Sequence, residues 1–101
     1  RISEFPSSVR DFSFSLKDFD SVKKVLDYLS KARDKNLKKS FMFDFYKNTK
    51  NQEIKVGYRF IFQSLERTLT DEDISDSISR ILHPILKIDG VTVPGISSIE
   101  H

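Results

Sequence analysis

Apolar periodicity running strand, helix, strand, strand, helix, strand predicts an α+β chain of βαββαβ order, with a four-stranded antiparallel sheet and two helices on one face. Three observations carry the prediction. Residues 10–17, 38–47 and 53–63 alternate apolar and polar side chains, residues 22–32 and 74–85 repeat apolar side chains every three or four positions, and a short valine segment follows the second repeat. The 101 residues, 38% hydrophobic with nine Phe, suffice for one compact domain with one core despite a charged fraction of 32%. The chain opens on Arg1 with no methionine, and is expected to be one domain, core about 5–94, cut from a longer protein.

In the first strand Phe12, Phe14 and Leu16 point one way and Asp11, Ser13 and Ser15 the other. Asp18 and Asp20 then form the cap region of an amphipathic helix reaching about Arg33, with Val22, Val25, Leu26, Leu29 and Ala32 as its stripe. The second strand sets Phe41, Phe43 and Phe45 against Met42, Asp44 and Tyr46, and the polar stretch Lys47–Gln52 forms a hairpin loop. The third strand places Ile54, Val56, Tyr58, Phe60 and Phe62 on one face and Lys55, Gly57, Arg59, Ile61 and Gln63 on the other. Both strands are expected to pair with their aromatic faces inward. Thr70 caps a second helix opening at Asp71, Asp73 completes a capping box, and Leu69 and Ile74 occupy the staple positions. Ile74, Ile78, Ile81, Leu82 and Ile85 form its buried stripe, and Pro84 is expected to kink or end it. Asp89-Gly90 turns the chain into a last strand at Val91 and Val93, stopped by Pro94-Gly95. Elements in this order fold as a ferredoxin-like split βαβ, which leaves the second sheet face open.

Charge is uneven although the formal net is only +2. Between Lys31 and Lys50 seven basic residues face two acids; between Glu66 and Arg80 five acids face two bases. No apolar run is long enough to span a bilayer, and no signal-type segment opens the chain. The absence of Cys removes disulfides, thiolate nucleophiles and Cys-type zinc sites, and suits a reducing cytosol. His83 and His101 have no second ligand at metal spacing. There is no G-x-S-x-G elbow and no glycine-rich phosphate loop. Leu16-Lys17-Asp18-Phe19-Asp20, where an acylphosphatase of this fold needs an anion loop, is acidic. No catalytic residue, metal or cofactor is expected in the domain.

On the open face the alternation places Ser13, Asp44, Tyr46, Lys55, Gly57 and Arg59. An aromatic ring, a carboxylate, two cations and two small residues offer an unpaired base a stacking surface, an acceptor for its edge and countercharge for phosphate. An ordinary solvent-facing sheet has the same composition, and a protein-docking or regulatory module without RNA binding is the alternative.

Four ordered motifs decide between these. FP-x-x-x-RD-F-S-F at Phe5–Phe14, F-D-F-Y at Phe43–Tyr46, G-Y-R-F-I-F-Q-S at Gly57–Ser64 and E-R-T-L-T-D-E-D at Glu66–Asp73 resemble the ferredoxin-fold anticodon-binding domain of phenylalanyl-tRNA synthetase. The likeness runs from about Phe5 to Ile88. It implies binding of the tRNA(Phe) anticodon stem-loop, positioning the tRNA for aminoacylation elsewhere in the parent, an ATP-dependent ligase using Mg2+. The other domains and subunits of that synthetase would be its further partners, and no membrane is expected. By the same resemblance Tyr46 stacks on an anticodon base, Asp44 accepts from the guanine edge, Ser13 and Gly57 let the nucleotide approach, and Lys55 and Arg59 meet phosphates. Arg67 is read as anchoring the hairpin end. The β2–β3 hairpin lacks the longer glycine-rich insert of many bacterial β subunits and is nearer in length to organellar single-chain forms. A bacterial cytoplasm is the expected compartment, with a mitochondrial or plastid matrix the alternative.

Overall fold

Four strands and two helices form in the expected order: β1 (Ser8–Leu16), α1 (Phe19–Lys31), β2 (Leu37–Asn48), β3 (Glu53–Phe62), α2 (Asp71–Leu86) and β4 (Val91–Thr92). The computed structural model describes residues 5–88 and 90–93. Asp89 of the expected turn, the Pro94-Gly95 stop and His101 lie outside them. The strands form one sheet in the order β2-β3-β1-β4, every pair antiparallel, the ferredoxin-like arrangement.

One face of β1 and β3 makes the floor of the core. Phe14, Leu16, Ile54, Val56, Tyr58, Phe60 and Phe62 are buried there against Val22, Val25 and Leu29 of α1 and Ile74, Ile81, Leu82 and Ile85 of α2. Asp18 caps α1 by accepting from the Ser21 amide at 2.8 Å. Thr70 and Asp73 form the reciprocal box at the start of α2, each side chain accepting the other's backbone N–H. Leu69 and Ile74 are both in the core, which fixes the angle at which the chain enters the helix. Gly90 turns the chain toward β4 with φ at +83°, a conformation that glycine adopts without strain.

Helix α2 runs through Pro84 to Leu86. The proline removes one backbone bond, at a cost of about 3 kcal/mol. Ile85 beyond it is fully buried, worth about 1.5–3 kcal/mol, and Leu86, partly buried against the core, adds to it, so the helix continues. The Tyr28 hydroxyl of α1 donates to the Ile81 carbonyl at 2.8 Å, supporting α2 just before the proline.

Two further expectations are corrected. Arg67 does not anchor the hairpin: its guanidinium binds Asp73 at the start of α2. That bond, with the Thr70 amide second, holds the Asp73 carboxyl well below the usual carboxylate range. The inward aromatic face assigned to β2 also fails. Phe41, Phe43 and Phe45 are all exposed: Phe41 is paired with Arg59 and Phe43 lies against Gly57 on the face away from the helices, and Phe45 sits on the helix side of an edge strand.

A polar cluster joins α2 to the loop before β2. Asp34 accepts from Arg80 Nε at 2.8 Å and from the Ser77 hydroxyl at 2.7 Å, and Asn36 Nδ2 donates to Ser77 at 3.0 Å. Burial pushes the Asp34 carboxyl up, but the bonds from Arg80, Ser77 and the Asn36 amide outweigh it and leave its pKa lowered.

Candidate nucleic-acid interface

The open face follows from the strand registers. On β3 the odd-numbered residues Lys55, Gly57, Arg59 and Ile61 point away from the helices, and on β1 their partners are Ser15, Ser13, Asp11 and Val9. On β2 the pairing runs Lys39 to Ile61, Phe41 to Arg59, Asp44 to Gly57 and Tyr46 to Lys55, with an irregularity between Met42 and Asp44. That irregularity is a bulge. It sets two residues of β2 opposite one of β3, so Phe43 and Asp44 share one face across from Gly57.

Three cross-strand rows result: Asp11, Arg59 and Phe41; Ser13, Gly57 and Asp44 with Phe43 beside it; and Ser15, Lys55 and Tyr46. All six residues picked from the sequence therefore lie on one face, in adjacent rows. Rows two residues apart are about 6.6 Å apart along a strand, and neighbouring strands about 4.8 Å across. The patch is of the size of a few nucleotides.

Two of the six have close neighbours within the face. Arg59 donates to both oxygens of Asp11, Nε at 2.8 Å and Nη2 at 2.9 Å, and its guanidinium lies 4.9 Å from the centroid of the Phe43 ring. The Arg59 bond lowers the Asp11 pKa, and the same bond raises that of Arg59. Arg59 is thus paired with a carboxylate and stacked on a ring. A Cβ at Gly57 would come 3.0 Å from Phe43 Cζ and 3.1 Å from the Asp44 Cβ. A side chain there would collide with the Phe43 ring that the bulge brings over the backbone of β3.

Asp44, Tyr46 and Lys55 make no ion pair among the described residues, and Tyr46 is 56% exposed. Ser15 donates to Glu53 at the hairpin edge of the face. Alternation alone did not find Lys39, Phe41 and Phe43. Lys39 Nζ lies 5.6 Å over the Phe41 ring, so two rings of β2 each carry a cation. The signal that could have found them is Gly57 itself: a glycine in the middle of a central strand marks a bulge or a close approach. Lys47 belongs to the opposite face, over the Phe19 ring of α1 at 5.1 Å.

Aromatic rings, cations and one free carboxylate on an open sheet suit unpaired bases, which offer π-faces, edges and phosphates together. Among the described residues no group of three His, Cys, Asp or Glu could hold a metal ion, and no helix is long and apolar enough to cross a membrane.

The quoted motifs also meet in space. The Phe5 carbonyl of the first accepts from Gln63 Nε2 of the third at 2.7 Å. A family model described as the ferredoxin-fold anticodon binding domain matches residues 3–92. The chain is 31% identical over 85 residues to a phenylalanine–tRNA ligase beta subunit of Helicobacter pylori, covering 84% of this chain and 11% of that one. It is 30% identical over 87 residues to the chloroplastic beta subunit of Pyropia yezoensis, covering 84% and 12%. Against the chloroplastic/mitochondrial phenylalanine–tRNA ligase of Arabidopsis thaliana it is 26% identical over 85 residues, covering 84% and 20%. The chain spans about a tenth to a fifth of the length of these relatives.

Proposed function

The chain belongs to the ferredoxin-fold anticodon-binding domain family, and on that premise we propose that it binds the anticodon stem-loop of tRNA(Phe) for a phenylalanine–tRNA ligase. The relatives carry that activity in their names. In this reading the domain has no catalysis of its own and positions the tRNA for aminoacylation elsewhere in the parent, which uses ATP and Mg2+. The observation that supports it most is the run Phe41, Phe43, Asp44, Tyr46 along one edge of the open face, beside Lys39 and Lys55.

Tyr46 offers its exposed ring to an anticodon base. Asp44, in the next row, presents two acceptor oxygens, and a guanine edge presents two donors, N1–H and N2–H2, so a carboxylate can take both. Ser13 keeps that row low across Gly57. Lys55, with no acid bonded to it, is the countercharge for phosphate. Arg59 serves the same face by supporting Phe43.

The test is titration with hairpin RNAs carrying a seven-nucleotide loop, with and without the anticodon guanine. Binding should weaken steeply as salt rises, because each neutralised phosphate releases counterions. Asp44→Asn should lose affinity only for the guanine-containing loop, since an amide places a donor where a donor already points. Salt-insensitive association, or none, would favour a module that docks protein through this sheet.

A further inference from the structure

We infer that Phe43 is a second base-stacking surface, next to Tyr46, and that Arg59 and Asp11 are positioning residues that hold its ring in place. The inference rests on the proposed function and extends it to Phe43, which the alternation had placed on the buried face, and to Asp11, and it gives Arg59 a different part.

Four observations converge on it. Phe43 is 47% exposed, so its ring is presented to solvent although it is large and apolar. Its place is built: the bulge turns it onto the open face beside Asp44, and Gly57 leaves the space its ring occupies. Its orientation is fixed by the guanidinium 4.9 Å from its centroid. The guanidinium is itself fixed by two bonds to Asp11. An exposed ring gains little for the fold from such support. A ring that must meet a flat partner gains more, because its side-chain entropy is already spent before the partner arrives. A guanidinium on one ring face leaves the remaining surface of the ring to a base, a π-system that stacks whatever its sequence.

Phe43 shares a row with Asp44, and Tyr46 lies in the next row, one strand repeat away. Two stacked bases then lie close to the carboxylate of Asp44, which reads the edge of one of them. The ligand is an unpaired two-base step in an RNA loop.

The rival role for Arg59, a direct phosphate contact, predicts opposite signs. Freed from Asp11, such a cation would bind phosphate better, so Asp11→Asn would strengthen binding and Arg59→Ala would reduce the salt slope by about one. A positioning role predicts that Asp11→Asn weakens binding although it removes a negative charge from the face. Arg59→Ala then lowers affinity while leaving the salt slope unchanged.

The experiment uses the 101-residue chain and seven-nucleotide-loop hairpins in which each loop base in turn is replaced by an abasic site. Wild type should lose about tenfold at each of two loop positions. Tyr46→Leu should abolish the sensitivity at one and Phe43→Leu at the other; Asp11→Asn should behave as Phe43→Leu does. Circular dichroism melts confirm that each variant is folded, and Leu keeps the apolar bulk at an exposed site. If wild type binds with one sensitive position, and Phe43→Leu and Asp11→Asn bind as wild type does, this inference is overturned and the proposed function stands. If wild type does not bind, or is indifferent to every abasic site, the proposed function falls and takes this inference with it.

Discussion

Strands β2 and β3 share an alternation of aromatic residues and meet opposite environments. On β3 Tyr58, Phe60 and Phe62 are 6%, 0% and 0% exposed; on β2 Phe41, Phe43 and Phe45 are 38%, 47% and 44% exposed. Residue type does not separate them, since five of the six are phenylalanine and the sixth, Tyr58, is buried despite its hydroxyl. Face and position do: the β3 rings point to the helix side of a strand that lies inside the sheet between β2 and β1, whereas β2 is an edge strand with two of its three rings on the other face. The bulge then splits β2 further, so that Phe41 and Phe43 join the open face while Phe45, paired with buried Val56, points to the helix side at the rim. The same aromatic ring holds the fold together in one strand and is available to a ligand in the next.

The difference is broken first by truncation. Phe60→Ala should cost about 3–5 kcal/mol, the range for a buried Phe, and Phe45→Ala about 1 kcal/mol or less, as for an exposed site. Urea midpoints of the two variants measure it, and equal losses would mean that β2 is covered as β3 is.

Next in size is the cluster that ties α2 to the loop entering β2. Asp34→Asn should cost about 1–3 kcal/mol at pH 7, because Arg80 and Ser77 lose a carboxylate partner that is only 6% exposed. The pKa of Asp34 is lower in the folded than in the unfolded chain. Its contribution is therefore complete above the ordinary carboxylate value of about 3.9 and fades as pH falls through the folded value. The stability gap between wild type and variant should hold from pH 7 down to about pH 4 and narrow as the pH falls further. A gap that stays constant would show that Asp34 acts through packing and not through charge.

The functional side of the comparison is probed by Tyr46→Ala, which should leave the urea midpoint unchanged while weakening hairpin binding by about 1–3 kcal/mol. A large loss of stability would place that ring among the structural ones. The smallest effect belongs to Thr70→Ala, about 1 kcal/mol of stability through loss of one half of the capping box. Because α2 lies on the covered face of the sheet and the interface on the other, hairpin affinity of the folded variant should be that of wild type.

Much of this was legible residue by residue. Asp18, Thr70 and Asp73 cap the helices they were expected to cap, because a cap is a contact between neighbours in sequence. Asp44 and Tyr46 face away from the helices as their alternation with Phe45 requires. Phe41 and Phe43 were misplaced because alternation holds only while the ladder is regular, and one extra residue between Met42 and Asp44 reverses it for everything before. Ser77 was passed over as polar, although it falls between Ile74 and Ile81 on the buried stripe; its bonds to Asp34 and Asn36 make its burial tolerable.

By itself the sequence determined the order of the elements, their caps, the buried side of β1 and β3, and the family, all of which rest on local periodicity or on ordered motifs. The tertiary structure alone decided which strand stands at the edge, where the bulge falls, and that Arg59 spends its charge on Asp11 and its face on Phe43. Periodicity states which side chains lie together on a strand. Whether a helix or open solvent lies over them depends on partners far away in the chain, here residue 59 with residue 11 and residue 57 with residue 44.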